Sequence, residues 1–444
     1  MKSLFTPLQK EGLTSLKIRY DYKTDVVRYF AAKEWEPAID FAGYNTVFLV
    51  DSLLTDEARY LNTKEVTALY EKYGLKDYLD QVVDLLRQGR HFGMECYFYE
   101  KYNIRFMCNM HSFKLGLNNK SQATLAGGIR RHGLEDEELE VIIDGLNLGR
   151  AMSFKNIAAG LNFGGCKTTV HMEPLDLNNL DMMGFLGFAI DRCRTMTGPD
   201  MNFPTEMADV MNRHFSAQYT NGPSSPVGES GKPTAYGVYL ALKEAVKFTE
   251  GKDSLKGMSA AVQGLGSVGW YMAGHLADEG LKLYVTDINE ERVKKFIAEH
   301  PGGDITAVPL SDIMKVEADI FCPCAVGGVI TEENIPALKF KYIWGPANNQ
   351  LRSSSQAGEI RLAKLLAERG ILFQSEWWHN AAGVLCGAEH YLHGDQARPE
   401  DVNKKTEAII PKNTRDNLIR AREKGLTPTE SVYATCQEII YGKD

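Results

Sequence analysis

Two stretches of the 444-residue chain carry residue types and spacings that can do chemistry. The first is Met152-Ser153-Phe154-Lys155-Asn156-Ile157-Ala158-Ala159-Gly160-Leu161-Asn162-Phe163-Gly164-Gly165-Cys166-Lys167. No other charge lies between Lys155 and Lys167, and the residues between them are mostly small or apolar. Two ammonium groups brought together in a dry cleft favour each other's neutral form, and desolvation adds to this. One can then act as a base while the other stays charged and holds a carboxylate. Taken alone, the segment is better read as two snorkelling lysines on a glycine-rich loop.

The second stretch is Ala260-Ala261-Val262-Gln263-Gly264-Leu265-Gly266-Ser267-Val268-Gly269, a Gly-x-Gly-x-x-Gly pattern between a predicted strand and a predicted helix. Gly264 allows a tight turn, Gly266 lets backbone approach a pyrophosphate, and Gly269 lets helix and strand pack closely. The helix start at Ser267 and Val268 adds N–H donors and a positive dipole. Asp287 closes the next strand, eighteen residues after Gly269. A carboxylate there can bind both ribose hydroxyls of an adenosine and would repel a 2′-phosphate, which predicts NAD rather than NADP.

The elements that must position these residues follow from periodicity and breakers. A helix is predicted over Asp56 to Gln88, strands at Cys96 to Tyr99 and Ile104 to Cys108, and an acidic-started helix over Glu135 to Ala151. Pro223, Ser224, Ser225, Pro226, Gly228, Ser230, Gly231 and Pro233 mark a domain junction. Beyond it, helices near Thr234–Thr249, Val268–Glu279 and Glu290–Glu299 alternate with strands Ser259–Gln263 and Lys282–Thr286, the pattern of a doubly wound parallel sheet.

Composition narrows the function classes. With 50 Lys+Arg against 58 Asp+Glu the formal charge is -8, so no basic field is available for a phosphate backbone, and nucleic acid is not an expected partner. No signal peptide or membrane-spanning run is evident, which predicts a soluble, cytoplasmic protein without a membrane partner. The eight cysteines are scattered and lack zinc-site spacing, so reduced, buried thiols and no metal are expected.

The lysine segment, Gly127-Gly128, Asp200, the Gly264 motif, Pro346-Ala347-Asn348-Asn349-Gln350-Leu351 and Asn380-Ala381-Ala382-Gly383-Val384 occur together. Together they closely resemble the glutamate/leucine/phenylalanine/valine dehydrogenase superfamily, nearest its leucine and phenylalanine members, from about residue 92 onward. The resemblance implies an α/β fold of two domains around a cleft: a substrate domain with a mixed sheet and a Rossmann-type NAD-binding domain. It implies that Lys155, with the backbone of Gly127 and Gly128, binds the substrate α-carboxylate. Lys167 would activate the attacking water and Asp200 would shuttle protons to the substrate nitrogen. Asn348 would lie near substrate and nicotinamide, Thr234 at the nicotinamide end, and Cys324-Ala325 at a strand end touching NAD. Asn380 would begin the pocket segment, with Met152 and Val384 as apolar walls.

Glutamate-specific relatives hold the side-chain carboxylate with a lysine and a serine where this chain has Ala126 and Gly387. Both anion ligands are missing, so the expected substrate is apolar and, from the small size of the two residues, aromatic or bulky. The implied activity is NAD-dependent oxidative deamination of an L-amino acid to a 2-oxo acid and ammonia, by a homo-oligomer. Two alternatives are a dehydrogenase of a noncanonical amino acid in a biosynthetic pathway and a non-catalytic NAD-binding regulator. The expected division is an N-terminal extension of unknown role at 1–90, a substrate domain at 91–222 and a Rossmann domain at 223–378. A hinge helix with a return to the substrate domain would fill 379–444.

Overall fold

The computed structural model describes residues 2–36, 39–44, 55, 57–353 and 355–442. Its chain sorts into two compact units. Unit 1 is Met1–Asn156, Leu161–Gly228 and Gly387–Ala397; unit 2 is Ile157–Gly160, Glu229–Cys386 and Arg398–Asp444. The return to unit 1 therefore covers only Gly387–Ala397, and the helices after it belong to unit 2 rather than to the substrate domain.

Unit 1 is built on a mixed sheet. Among the described residues its strands are β1 (Ser15–Asp21), β2 (Val26–Lys33), β3 (Arg59–Leu61), β4 (Gly93–Tyr99), β5 (Ile104–Ser112), β6 (Leu125–Ala126), β7 (Ile129–His132), β8 (Gly164–His171) and β9 (Thr195–Met196). They lie in the order β3-β2-β1-β4-β5-β8-β6-β9, with β7 also paired to β8. Pairing is antiparallel from β3 to β8 and parallel for β6 with β8 and β9 and for β7 with β8.

The helices of this unit are α1 (Phe5–Lys10), α2 (Thr63–Lys72), α3 (Lys76–Gln88), α4 (Glu138–Ala158), α5 (Leu180–Arg192) and α6 (Met207–Val210). Strand β4 is buried on both faces, and its alternation sorts side chains between two cores. Cys96 and Phe98 join Leu79, Val82 and Leu86 of α3, whereas Tyr97 and Tyr99 join Phe185 and Phe188 of α5.

Two expectations change here. The single helix predicted over Asp56 to Gln88 is a short strand followed by two helices, its first residue lying outside the described residues. Asn62 forms a capping box with Glu65, and Gly74 breaks the run with φ +65°, a conformation that favours glycine. The first 90 residues are also no appendage. β1 pairs with β4, so β1 to β3 extend the unit 1 sheet, and the alternating Leu16 and Ile18 of β1 pack into its core.

Helix α4 runs seven residues past its predicted end at Ala151 and carries Lys155 on a helix rather than a loop. Glycines bring it unusually close to the sheet. A Cβ on Gly145 would meet Asn109 Nδ2 at 2.2 Å, one on Gly149 the Asn109 carbonyl at 2.8 Å, and one on Gly165 the Ser153 nitrogen at 2.1 Å. Ser153 precedes Lys155 by two residues and Gly165 precedes Lys167 by two, so both lysines spring from this closest approach of helix and strand.

Unit 2 holds β10 (Ser259–Gln263), β11 (Lys282–Thr286), β12 (Ile305–Ala307), β13 (Ile320–Pro323), β14 (Tyr342–Ile343) and β15 (Leu372–Phe373). All pair in parallel in the order β12-β11-β10-β13-β14-β15, a doubly wound sheet whose order reverses between β10 and β13. Its helices are α7 (Gly231–Glu250), α8 (Gly269–Asp278), α9 (Glu290–Glu299), α10 (Gln356–Glu368), α12 (Pro399–Lys424) and α13 (Pro428–Tyr441), with α11 (Ala382–His393) crossing from unit 2 into unit 1.

The N-terminal segment is fastened at one buried carboxylate. Glu138, at the start of α4, accepts the Ser3 hydroxyl, the Leu4 N–H at 2.6 Å and the Tyr78 hydroxyl at 3.1 Å. Glu138→Ala leaves the Leu4 N–H unpaired in the core and is expected to destabilise unit 1 by roughly 2–4 kcal/mol. Urea denaturation followed by fluorescence checks this; an unchanged midpoint would show that the segment is held elsewhere.

Candidate active site

Lys167 sits on β8, a central strand buried along its whole length, with its side chain 7% exposed. An ammonium in such a place needs an anion, and the chain supplies Asp200, whose Oδ2 accepts a hydrogen bond from Lys167 Nζ. A partner of Lys167 is thus the carboxylate of Asp200. Asp200 is carried on a strand-like run after β9: its N–H donates to the Ile129 carbonyl at 3.0 Å, and the Ile129 N–H donates to Gly198 at 3.1 Å.

Gly127 and Gly128 thread between these elements. A Cβ on Gly127 would fall 1.8 Å from the Cys166 carbonyl, and one on Gly128 3.0 Å from Lys167 Nζ and 3.5 Å from Asp200 Cβ. Only glycine lets the chain pass Cys166 at position 127. Lys155 and Met152 are half-buried on α4. Ala126 is buried among Ala123, Phe163, Met196 and Ala388. Gly387 has polar neighbours: Asn221 Nδ2 lies 3.0 Å and Thr220 Oγ1 3.4 Å from where its Cβ would be. Ala126 thus has apolar neighbours, and the nearest neighbours of Gly387 are polar.

The charges around Asp200 include two residues that the sequence did not single out. Arg130 reaches Asp200 Oδ2 through Nε at 3.3 Å and a terminal nitrogen at 3.2 Å, and it grips Asp144 of α4 at 3.0 and 3.1 Å. Burial pushes the Asp200 carboxyl up, yet the Lys167 and Arg130 charges overcome this and hold it well below the usual carboxylate range. Asp144 is also burdened by burial and is lowered by His132 and Arg130. A guanidinium shared by two carboxylates from different elements has no sequence signature, because it depends on β7, α4 and the 198–200 run meeting. The Gly-Gly-x-Arg spacing was the only available hint.

Unit 2 brings together the second set. Gly264 turns with φ +98°, and a Cβ on it would meet Ala325 at 2.7 Å. A Cβ on Gly269, which opens α8, would meet the Gly264 carbonyl at 2.1 Å. Gly266 differs: nothing lies within 4 Å of its Cβ position, so it faces open space beside half-buried Val268 and exposed Ser267. That open backbone is where a pyrophosphate would rest. Asp287 Oδ2 accepts the Leu265 N–H at 2.7 Å, and both carboxylate oxygens lie 3.3 Å from Arg292. Burial raises the Asp287 carboxyl, but the Asn289 and Leu265 N–H groups and Arg292 bring it below its ordinary value.

The remaining predicted residues pair up locally. Asn380 donates to Asn348 Oδ1 and to the Pro346 carbonyl, each at 3.0 Å, and leaves its own buried Oδ1 without a partner. Thr234 on α7 donates to the Ser230 carbonyl at 2.7 Å and abuts Gly383, with Val384 half-buried next to it on α11. Cys324 donates its N–H to Gln263 at 2.8 Å, and all eight thiols are free. Among the described residues, no helix is long and apolar enough to cross a membrane.

The model of the Glutamate/Leucine/Phenylalanine/Valine dehydrogenase family matches residues 229–440, and that of the Glu/Leu/Phe/Val dehydrogenase dimerisation domain matches residues 110–219. The leucine dehydrogenase of Geobacillus stearothermophilus is 37% identical over 313 residues, 68% of this chain and 82% of that one. The phenylalanine dehydrogenase of Lysinibacillus sphaericus is 34% identical over 336 residues, 74% and 85% of the two chains. The structure is also similar to L-tryptophan dehydrogenase from Nostoc punctiforme, with a TM-score of 0.67 at 25% identity over 80% of this chain and 98% of that one.

The electrostatics give a directional test. A depressed carboxylate stabilises the fold above its ordinary range of about 4 and loses that contribution only as pH falls through its lowered folded value. Arg130→Met removes one of the two cations facing Asp200, so its carboxyl should titrate at higher pH. The acid limb of any Asp200-dependent pH–rate profile should move upward with it, by roughly one unit. An unmoved limb would assign that limb to another group.

Proposed function

The chain belongs to the glutamate/leucine/phenylalanine/valine dehydrogenase family, and from that premise we propose that it oxidatively deaminates an apolar L-amino acid to the 2-oxo acid and ammonia with NAD, and runs the reverse amination. The observation that carries the reading is the Lys167–Asp200 hydrogen bond beside Gly128, a buried base and proton carrier at a backbone turn without side chains.

Bound NAD would lie on Gly264 to Gly269 with its adenosine ribose at Asp287, and its nicotinamide supplies the acceptor for the substrate's α-hydride. The chain's own residues do the rest. Lys155 and the Gly127–Gly128 backbone hold the α-carboxylate, which fixes the direction of the Cα–H bond. Asp200 takes the proton that must leave the amine before the hydride can depart. Water then adds to the substrate iminium with Lys167 as base, and ammonia leaves after Asp200 returns a proton to nitrogen. Because Lys167 and Asp200 share a hydrogen bond, a proton can pass between them without changing the net charge of the pair.

Ala126 in place of a cationic side chain argues against a substrate with a side-chain carboxylate, which would be buried without a partner. The match of residues 110–219 to a dimerisation domain supports a homo-oligomer. A silent NAD-binding regulator would have no use for a lysine buried against a carboxylate.

NADH formation at 340 nm across leucine, valine, phenylalanine, tyrosine, tryptophan and glutamate tests the reading. Turnover of apolar substrates is expected. Lys167→Ala should lower kcat by at least about a thousandfold while leaving NAD binding intact; near-normal turnover would remove Lys167 from the mechanism. Asp287→Gly frees Arg292 to meet a 2′-phosphate, so the ratio of NAD to NADP efficiency should fall about tenfold or more. If that ratio stayed put, the ribose would have to be bound elsewhere.

A further inference from the structure

Arg130 and His132 stand two residues apart on β7, so the alternation of the strand puts both on one face. There they meet the same carboxylate, Asp144 of α4. Arg130 holds Asp144 Oδ1 and Oδ2 at 3.1 and 3.0 Å, and His132 Nε2 lies 3.4 Å from that Oδ2. On its other side, His132 Nδ1 lies 3.4 Å from Asp136 Oδ2, an oxygen that also accepts the Gly133 N–H at 3.1 Å. Arg130 meanwhile reaches Asp200 Oδ2, the oxygen that takes the Lys167 hydrogen bond. Opposite charges thus alternate from Lys167 through Asp200, Arg130, Asp144 and His132 to Asp136. The line starts at a side chain 7% exposed and ends at one 46% exposed, so it runs from the core to solvent.

Within that line the imidazole is the residue type that changes charge near neutral pH. His132 Nε2 is buried and, among the described residues, makes no aligned hydrogen bond. Its link to Asp144 is therefore one of charge rather than of a fixed bond. The groups that face His132 are Asp144 from α4, Asp136 from the turn after β7, and His171, its register partner on β8, with rings 6.2 Å apart. His171 is fully buried with neither ring nitrogen bonded among the described residues. Burial, Arg105 and His132 push it down to about 4 against the pull of Asp136 and Glu135, so it stays neutral and supplies no competing cation. The charge at the outer end of the line is set by His132.

We infer that His132 is a positioning residue for the reaction, one that adjusts the basicity of Asp200 to pH through Asp144 and Arg130. This rests on the amino acid dehydrogenase reading and deepens it by adding control of the same site. When His132 is protonated it shares Asp144 with Arg130, and more of the guanidinium charge bears on Asp200, which is then the weaker base. When His132 loses its proton, Asp144 answers Arg130 alone. Asp200 then feels less of that charge and takes the amine proton more readily. His132 acts through two intervening charges.

The test records kcat/KM for deamination against pH in wild type, His132→Gln, Asp144→Asn and the double variant. Glutamine stays neutral at every pH, so the ratio of His132→Gln to wild type should be on the order of fivefold near pH 5.5 and fall to about one near pH 8.5. In the Asp144→Asn background the same substitution should change the ratio by less than half as much, because the connection is cut. A ratio that does not vary with pH would make His132 merely structural, and an equal effect in both backgrounds would rule out the route through Asp144; either result overturns the assignment. A second readout needs no turnover: the NMR titration of His132 in protein labelled with 13C-histidine, its resonance assigned by its loss in His132→Gln. Coupling is reciprocal, so Asp200→Asn, which lets Arg130 turn to Asp144, should lower the His132 midpoint by roughly half a unit. An unmoved midpoint rejects the coupling. A moved midpoint in a protein silent on every amino acid sustains the coupling and sinks the dehydrogenase reading instead.

Discussion

A nearly buried ammonium on a central strand is the constraint around which unit 1 is organised. Lys167 would be strongly unfavourable there alone, because burying an unpaired charge costs several kcal/mol even after relaxation. Asp200 offsets that, but only if the run after β9 is held against β7, which the Ile129 and Asp200 backbone bonds accomplish. Arg130 then ties the same carboxylate to Asp144 on α4. Strand, helix and loop are thus joined through one set of charges, and the set that could only be expensive to a resting fold is the one that can move protons.

Glycine is the second organising element, and it acts by letting backbones approach rather than by loosening them. Gly145, Gly149 and Gly165 seat α4 directly on β5 and β8. Gly127 passes Cys166 with no room for a side chain, and Gly128 lies close against Lys167. In unit 2, Gly264 and Gly269 bring strand, turn and helix together, while Gly266 leaves its surroundings open. Glycine thus closes one space and keeps another free, and the free one lies where a cofactor's phosphates can meet backbone N–H groups at a helix start.

The two units solve different problems with different sheets. The parallel sheet of unit 2 reverses its order between β10 and β13, and the Gly264 turn and the Cys324–Ala325 strand end both lie at that reversal. The mixed sheet of unit 1 is lengthened by β1 to β3, whose core joins α2, α3 and the start of α4. Ser3, Leu4 and Tyr78 therefore brace the start of the helix that carries Lys155.

Much of this was legible in the residues themselves. The glycine spacing, the acid after the second strand and the alternation after Pro233 each follow from local backbone chemistry, so the doubly wound unit and its glycine turn could be read from sequence. The lysines, Asp200 and the asparagine segments could be read through family resemblance. The extent of α4 could not, because tertiary packing carries the helix past the point where its pattern weakens. β1 to β3 were missed because short alternating runs show their role only when a partner strand exists. The approach of Asn221 to Gly387, and the hydrogen bond of Lys167 to Asp200, were decided by the fold alone. Local sequence fixes which conformations a segment can adopt, but which charge answers another across 33 residues, and what fills the space beside a glycine, is settled only when distant segments are packed together.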